Sequence, residues 1–344
     1  MCNRLARRLK LGVIGVGTFG RVHAEAYKAY ERSRLKAICD VDAKKCVDLA
    51  RKLRCDHYTD YAEMVSKADL DAVSIVTPDF LHKQPAICAA EAGLDILLEK
   101  PMATTVEDAM AIAQAARKSG SMLMIDFHNR WSPPFTALKR SIEEGELGSP
   151  RFLQGRLNDT VFVPTRMLSW SARSNVLWFL GSHVVDLCRW LLGSDPKRAF
   201  SVCGSGVLSG MGIPTPDFYQ SIIQFESGSV ASIENCWILP ESHPSVFDFQ
   251  VEFVGSEGSY TVNASHSNMA EKYSKAKREN PDLLFSLDMH GRQMGFGVAS
   301  LWDFVDCVLG DRKPPVTAED GLWVTRTICS LLESSRKGTF VRVS

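Results

Sequence analysis

Along the first 126 residues, short apolar runs rich in β-branched residues alternate with segments of helical period. The runs are LKLGVIG (9–15), LKAICD (35–40), DAVSIV (71–76), LDILLE (94–99) and SMLMID (121–126). Between them, apolar positions repeat at helical spacing over 18–31, 43–53, 80–92 and 104–118. Strand–helix alternation of this kind predicts a parallel, doubly wound sheet with helices on both faces.

After residue 127 the pattern changes. NRWSPPF is a proline-interrupted loop, a short helix is expected over 135–144, and ELGSP breaks the chain. Strands are expected at 151–157, 198–207, 217–225, 229–237, 246–254 and 259–262, separated by turns such as ESGS and GSEG. That spacing predicts an antiparallel or mixed sheet. A helix over 177–192 interrupts it, and helices near 295–309 and 318–336 close the chain. The stretch 263–292 is polar and weakly patterned, and reads as a long loop with some helix. Two domains follow, at 1–127 and 128–344, the final helices packing back on the first.

Composition narrows the partners. The 344 residues include 40 basic and 40 acidic side chains, a balance that argues against nucleic acid or an anionic membrane surface. No apolar run reaches the ~18 residues of a membrane span. The opening MCNRLARRLK resembles a signal peptide's charged region, but the apolar part after it is too short and too glycine-rich. Ten cysteines show no C-x-x-C pair, and no set of residues suggests a metal. Cys39, Cys203 and Cys236 lie in apolar runs and read as reduced core residues of a cytoplasmic protein.

The strongest local motif is GVGTFG, with Gly15, Gly17, Thr18, Phe19 and Gly20, between a β-run and an amphipathic helix. Gly15 permits a tight turn, Gly17 lets the backbone approach a pyrophosphate, and Gly20 allows close helix–strand packing at an anion-attracting helix start. Asp40 ends the next β-run, where a carboxylate accepts hydrogen bonds from an adenosine ribose. An acid there disfavours a 2′-phosphate, so NAD is expected rather than NADP, although Lys44 and Lys45 lie close by.

Two more loops fall at strand ends, where ligands of open parallel sheets bind. One is TPDFLH, with Thr77, Pro78, Asp79 and His82; the other follows LDILLE and begins Glu99-Lys100-Pro101. A lysine at the tip of a buried strand is costly unless paired or functional. In NVLWFLGSHVVDLCRWLLG (175–193), His183 taken alone reads as a packed core histidine. After a dinucleotide motif and a strand-end lysine, it reads as chemistry.

The ordered set GVGTFG with Asp40, TPDFLH, EKP (99–101), NRW (129–131), GELG (145–148), G-S-H-x-x-D (181–186), VGSEGS (254–259) and EDG (319–321) resembles the Gfo/Idh/MocA oxidoreductases, which include glucose–fructose oxidoreductase and inositol dehydrogenase. The resemblance covers nearly the whole chain. It implies a Rossmann dinucleotide-binding domain and a C-terminal α/β domain with a large, open, predominantly antiparallel sheet that forms homodimers or homotetramers. It implies hydride transfer between a nicotinamide and a sugar, polyol or related cyclic alcohol. Lys100 would polarise the oxygen and His183 would move its proton. Free lysine titrates near ~10.4, so a base role needs a lowered value. Thr77, Pro78, His82, Glu99, Lys100 and Asn129 are then expected near the cofactor. Trp131, Arg166, Arg173, Trp178 and Phe179 are candidates for the substrate, and His23 is structural or near the nicotinamide. Asp186 reads as an ion-pair partner, with Arg189 as candidate mate. His57, His243, His266 and His290 have no pattern that selects them.

One position departs from the family. Many members carry an aspartate four residues before the histidine, and here it is Phe179. Three readings follow: a dehydrogenase in which Phe179 or Trp178 stacks on a sugar face, an NAD-dependent glycoside hydrolase working by transient oxidation and elimination, and a cofactor-binding regulator without turnover.

Overall fold

The structure is a computed structural model, which describes residues 7–265, 270–275, 278–280, 283–290 and 292–344. They divide into two compact units, residues 1–128 with 285–322, and 129–284 with 323–344. No helix among the described residues is long and apolar enough to cross a membrane.

The elements, numbered in chain order, begin with β1 (Leu9–Ile14), α1 (Thr18–Ala29), β2 (Ser33–Cys39), α2 (Ala43–Leu53), β3 (Asp56–Tyr58), α3 (Tyr61–Lys67), β4 (Ala72–Ile75), α4 (Lys83–Glu91), β5 (Asp95–Leu98), α5 (Val106–Ser119) and β6 (Leu123–Ile125). The six strands form one parallel sheet in the order β3-β2-β1-β4-β5-β6. Chain order reverses direction between β1 and β4, the place where such sheets open a ligand crevice. β4 and β6 are buried along their whole length, which is why they read as unbroken apolar runs. Helix ends follow local chemistry. Asp42, Asp60 and Thr105 cap the starts of α2, α3 and α5 with side-chain oxygens, and Gly120 ends α5 in the left-handed region at φ 77°. β3 and α3 are absent from the sequence reading. Asp-His-Tyr is too short and polar to show a period.

The second unit continues with α6 (Pro133–Glu143), β7 (Pro150–Thr160), α7 (Ser182–Leu192), β8 (Pro196–Gly204), α8 (Val207–Gly210), β9 (Phe218–Phe225), β10 (Val230–Leu239), β11 (Phe247–Gly255) and β12 (Ser259–Asn263). Short pairs β13 (Lys272–Tyr273)/β14 (Arg278–Glu279) and β15 (Leu287–Met289)/β16 (Arg292–Met294) come next. α9 (Phe296–Gly310), α10 (Ala318–Lys337) and β17 (Val341–Arg342) end the chain. The described residues of the stretch 263–292 hold these short strands and no helix; residues 266–269, 276–277, 281–282 and 291, on which the expectation of some helix also falls, lie outside them.

The main sheet of this unit runs β12-β11-β7-β10-β9-β8-β17, and only the β7–β10 pair is parallel. Burial alternates along β10, with Ala231, Ile233, Asn235 and Trp237 buried. α7 covers that face: a Cβ on Gly155 of β7 would stand 2.5 Å from Val184 of α7. The opposite face carries Phe152, Gln154, Gln220, Ile222, Ser232 and Glu252, all exposed. Cys203 is exposed near the end of β8 and Cys236 is half-buried, so neither is the core residue expected of it. The nine described cysteines are all free thiols. The GELG and VGSEGS motifs meet as two packed turns. A Cβ at Gly255 would fall 1.9 Å from the Leu147 carbonyl, and Glu257 N–H donates to that same oxygen (3.1 Å).

Candidate active site

In the first unit the glycine turn behaves as its spacing predicts. Gly15 adopts φ +90°, and a Cβ there would stand 2.6 Å from the Val76 carbonyl. A Cβ on Gly20 would fall 1.8 Å from the Gly15 carbonyl, so only glycine lets α1 sit so close to β1. Gly17 is different: nothing lies within 4 Å of its Cβ position. It precedes α1, whose start has no side-chain cap, so the first N–H groups of Thr18 and Phe19 are available to an anion. Asp40 stands one residue beyond β2. Its Oδ2 accepts from Val16 N–H (2.7 Å) and its Oδ1 from Asp42 N–H (2.8 Å), which fixes the carboxylate beside the turn with lone pairs to spare. Lys45 is engaged by Asp42 at 3.2 Å. Beyond β4, Thr77 Oγ1 is buried with no hydrogen-bond partner, an orphan a bound cofactor can satisfy. Open Gly17, an uncapped helix start, an anchored Asp40 and the Thr77 hydroxyl fit a dinucleotide.

The TPDFLH and EKP loops are tied together by His82. Its ring is buried, with Nδ1 2.8 Å from the Pro101 carbonyl and Nε2 2.9 Å from the Thr77 carbonyl. Both nitrogens face carbonyls of the two turns, so His82, expected near the cofactor, braces the crevice. Pro78 leads into the turn at φ −53°, and Asp79 is buried and accepts from Phe80 N–H (2.8 Å). Lys100 is half-buried and joined to Pro101 by a cis peptide bond. Glu99, expected near the cofactor, faces inward. It is buried, its Oε1 lies 3.2 Å from His23 Nε2, and its Oε2 accepts from Lys100 N–H (3.1 Å). Phe19 meets Phe285 edge-on, with ring centroids 6.1 Å apart.

A residue the sequence reading passed over completes this corner. Asp126, one step past β6, is 1% exposed with Oδ2 3.6 Å from His23 Nε2. Burial and then the charge of Glu99 push its carboxyl up to about 7. Burial also opposes the charge of Glu99, but the hydrogen bond and charge of His23, then Lys100, hold that carboxyl below its usual range. Burial lowers His128 to about 4. His23, Glu99 and Asp126 are the group of three potential metal ligands among the described residues, their ligand atoms within 4.8 Å of one another. Spacing along the chain gave no hint of it. The rule that chemistry sits past strand ends, applied to SMLMID, finds Asp126.

In the second unit, the expected helix 177–192 opens as a wide π-turn, Leu177–Gly181, before α7 begins. His183 is buried in the first turn of α7, and Asn129 Nδ2 lies 3.1 Å from its Nδ1. Asn129, expected near the cofactor, is thus a partner of the histidine. Asp186 takes a two-point ion pair from Arg130, at 2.9 Å from Nε and 2.5 Å from the terminal nitrogen, with both side chains buried. Arg189, the expected mate, pairs with Asp195 (2.7 Å). A Cβ on Gly181 would stand 2.9 Å from Asn235 Oδ1, which accounts for the glycine of G-S-H-x-x-D. Trp178, a candidate for the substrate, is buried. Phe179 is half-exposed and meets Trp170 edge-on, centroids 6.1 Å apart. Trp131 is partly exposed and Arg173 exposed. Arg166 is exposed, paired with Glu241 and stacked over Phe162 at 5.0 Å. His57, His243 and His290 join no cluster among the described residues, and His266 lies outside them.

Comparison with known proteins decides the family. Residues 9–127 match the model described as "Oxidoreductase family, NAD-binding Rossmann fold", and residues 135–261 match the "GFO/IDH/MocA C-terminal domain". The chain belongs to the Gfo/Idh/MocA family. Members similar to it include levoglucosan dehydrogenase of Pseudarthrobacter phenanthrenivorans, 30% identical over 75% of this chain and 74% of the relative. The scyllo-inositol 2-dehydrogenase (NAD(+)) of Bacillus subtilis is 26% identical over 92% and 91%. The scyllo-inositol dehydrogenase of Lactobacillus casei, solved with NAD(H) and scyllo-inositol, superposes with a TM-score of 0.84 over 98% of this chain and 99% of that one, at 19% identity. The family is one of NAD-binding oxidoreductases, and the first unit carries its Rossmann fold.

Proposed function

We propose that this chain is an NAD-dependent dehydrogenase of a sugar, polyol or related cyclic alcohol. The observation that carries the reading is a buried imidazole, His183, held by an amide at Nδ1 in a chain whose glycine turn and Asp40 suit NAD. The named activities of its relatives, on levoglucosan and scyllo-inositol, support the substrate class. NAD, when bound, supplies the two-electron acceptor. Asp40 selects the unphosphorylated ribose by its charge, because a 2′-phosphate would meet a fixed carboxylate.

Lys100 polarises the reacting oxygen and His183 moves its proton. With the Asn129 amide donating, Nδ1 of a neutral ring is an acceptor and the ring proton sits on Nε2. Turned by half a rotation, the amide offers Oδ1 to an Nδ1–H. Nε2 is then the site that takes the hydroxyl proton, and Oδ1 steadies the imidazolium that results. Phe179 and Trp170 offer apolar surface where many relatives place a carboxylate, which favours a substrate with an apolar ring face. The exposed face of the seven-stranded sheet, with Phe152, Ile222 and Val202 among polar neighbours, supports a homodimer or homotetramer.

The test is a panel of sugars, inositols, sugar acids and glycosides with NAD and NADP, following NADH and aglycone together. NADH growth that is lost in Lys100→Ala and His183→Ala is expected. Aglycone release without net NADH would replace the dehydrogenase with a glycoside hydrolase. Binding of NAD without either product would make the chain a regulator.

A further inference from the structure

α1 is held at both ends by residues from the far end of the chain. α9 lies beside it, and its middle is pinned to the last turn of α1. There Trp302 stacks on Tyr30 with ring centroids 5.0 Å apart and donates from Nε1 to the Ala26 carbonyl (3.2 Å). Asp306 accepts from the Tyr30 hydroxyl (2.8 Å). Just before α9, β16 lies against α1, and Phe285 leads into the β15/β16 pair.

Phe285 has a fitted seat. Its carbonyl accepts from Gly297 N–H (3.1 Å). Its ring meets His128 edge-on at 5.1 Å and Phe296 edge-on at 5.3 Å between centroids. A Cβ on Gly297 would stand 2.3 Å from that ring, so only glycine leaves room for it. Gly295, the residue before α9, has φ 129° and ψ 172°, a backbone confined almost wholly to glycine. Two glycines thus serve to bring one phenylalanine to this place.

The seated ring faces Phe19, with centroids 6.1 Å apart and planes at 76°. Phe19 is the second residue of α1, and its N–H is among those a helix start leaves free for an anion. Both phenylalanines are partly exposed, whereas His128 behind Phe285 is buried. The glycine turn and Asp40 recognise a dinucleotide through backbone N–H groups and a carboxylate. The Phe19–Phe285 pair has no polar group to offer, yet it stands at the same helix start.

We propose that Phe285 is a cofactor-retaining residue. With Phe19 it forms an aromatic clasp across the start of α1, which opens for NAD to leave and slows that step. The inference rests on the reading that this helix start holds NAD, and does not depend on the alcohol substrate.

The test follows NADH release, without turnover. Protein loaded with NADH is mixed with excess NAD in a stopped-flow instrument, and the loss of bound NADH fluorescence gives the release rate. Phe285→Ala is expected to release NADH about ten-fold faster, the scale of one lost aromatic pair. Phe285→Tyr keeps the ring and should stay near the wild-type rate. Phe19→Ala speeds release by a similar factor, and the double variant is no faster than the faster single, because the clasp is one contact. Unchanged release in folded Phe285→Ala overturns the proposal, as does a double variant whose two factors multiply. If Phe285→Ala does not fold, hydrogen exchange of the wild-type protein decides. NAD is expected to slow exchange in the peptides that carry Phe285 and Gly297, and equal exchange with and without NAD refutes the clasp. Wild-type protein without saturable NADH binding would remove the cofactor reading and the clasp with it. Wild type and Phe285→Ala that bind NADH and release it equally fast remove the clasp alone.

Discussion

Asn129 holds His183 by its Nδ1, amide nitrogen to ring nitrogen at 3.1 Å, with both residues buried. The contact fixes the ring plane and leaves the proton chemistry to Nε2. Asn129→Ala is expected to lower kcat by up to about 10²-fold, the scale of a misplaced catalytic group, with the KM for NAD unchanged. His183→Ala loses about 10²–10⁴-fold. In Asn129→Asp a carboxylate faces Nδ1 and favours the charged ring. Activity returns, and the acid limb of the pH profile moves upward by about one unit. Steady-state kinetics across pH checks all three, and an Asn129→Ala enzyme with wild-type kcat would remove the asparagine from the mechanism.

Gly17 and Gly20 belong to one motif and do different work. A Cβ on Gly17 enters open space, so Gly17→Ala should fold with a Tm within about 2 °C of wild type. The same methyl stands where a pyrophosphate approaches, and NAD affinity is expected to drop at least roughly ten-fold. A Cβ on Gly20 collides with the Gly15 carbonyl, so Gly20→Ala costs about 1–3 kcal/mol of stability. Calorimetry for NAD and thermal melts separate the two. Equal destabilisation by both changes would show that the turn is built differently.

Much of this was legible in the sequence because periodicity reports burial. The five apolar runs of the first unit became β1, β2, β4, β5 and β6, and the glycine turn fell where its flanking strand and helix required. What stayed hidden depends on contacts between distant positions. His82 and Glu99 sit in motifs that suggest cofactor contact, yet each turns inward, because the strand-end turns need their carbonyls and backbone N–H groups satisfied. Arg130 and Asp186 are 56 positions apart, whereas Arg189 lies one helical turn from Asp186, and helical spacing pointed to the nearer arginine. The Asn129–His183 and Asp126–Glu99 pairs come from strand ends and a helix start that only the folded chain brings together.

The Arg130–Asp186 pair is buried on both sides, 8% and 2% exposed at the side chains. Removing one partner strands the other's charge in the interior. Arg130→Met or Asp186→Asn is expected to cost about 3–5 kcal/mol, and the double variant less than the sum of the two. Denaturant melts of the four proteins give the coupling directly. Additive losses would mean that each residue is held by other groups.

The Asp126 corner also predicts how stability follows pH. The folded protein raises Asp126 from 3.8 to about 7, so it binds a proton that the unfolded chain has released, and stability falls as pH rises through that window. His128 is lowered from 6.5 to about 4, so the unfolded chain binds the extra proton, and stability rises with pH between those values. Glu99 is lowered from 4.5 and adds stability as pH rises toward that value, none of it above. Between about pH 4.5 and 6.5 the Asp126 loss and the His128 gain therefore oppose each other, and the wild-type Tm should be nearly flat. Asp126→Asn removes the falling contribution and keeps the rising one. Its Tm should climb across the same interval and level off above about pH 6.5, where His128 is neutral in both states. Thermal melts at half-unit steps of pH check this, and parallel curves for the two proteins would show that Asp126 carries no proton in the folded state.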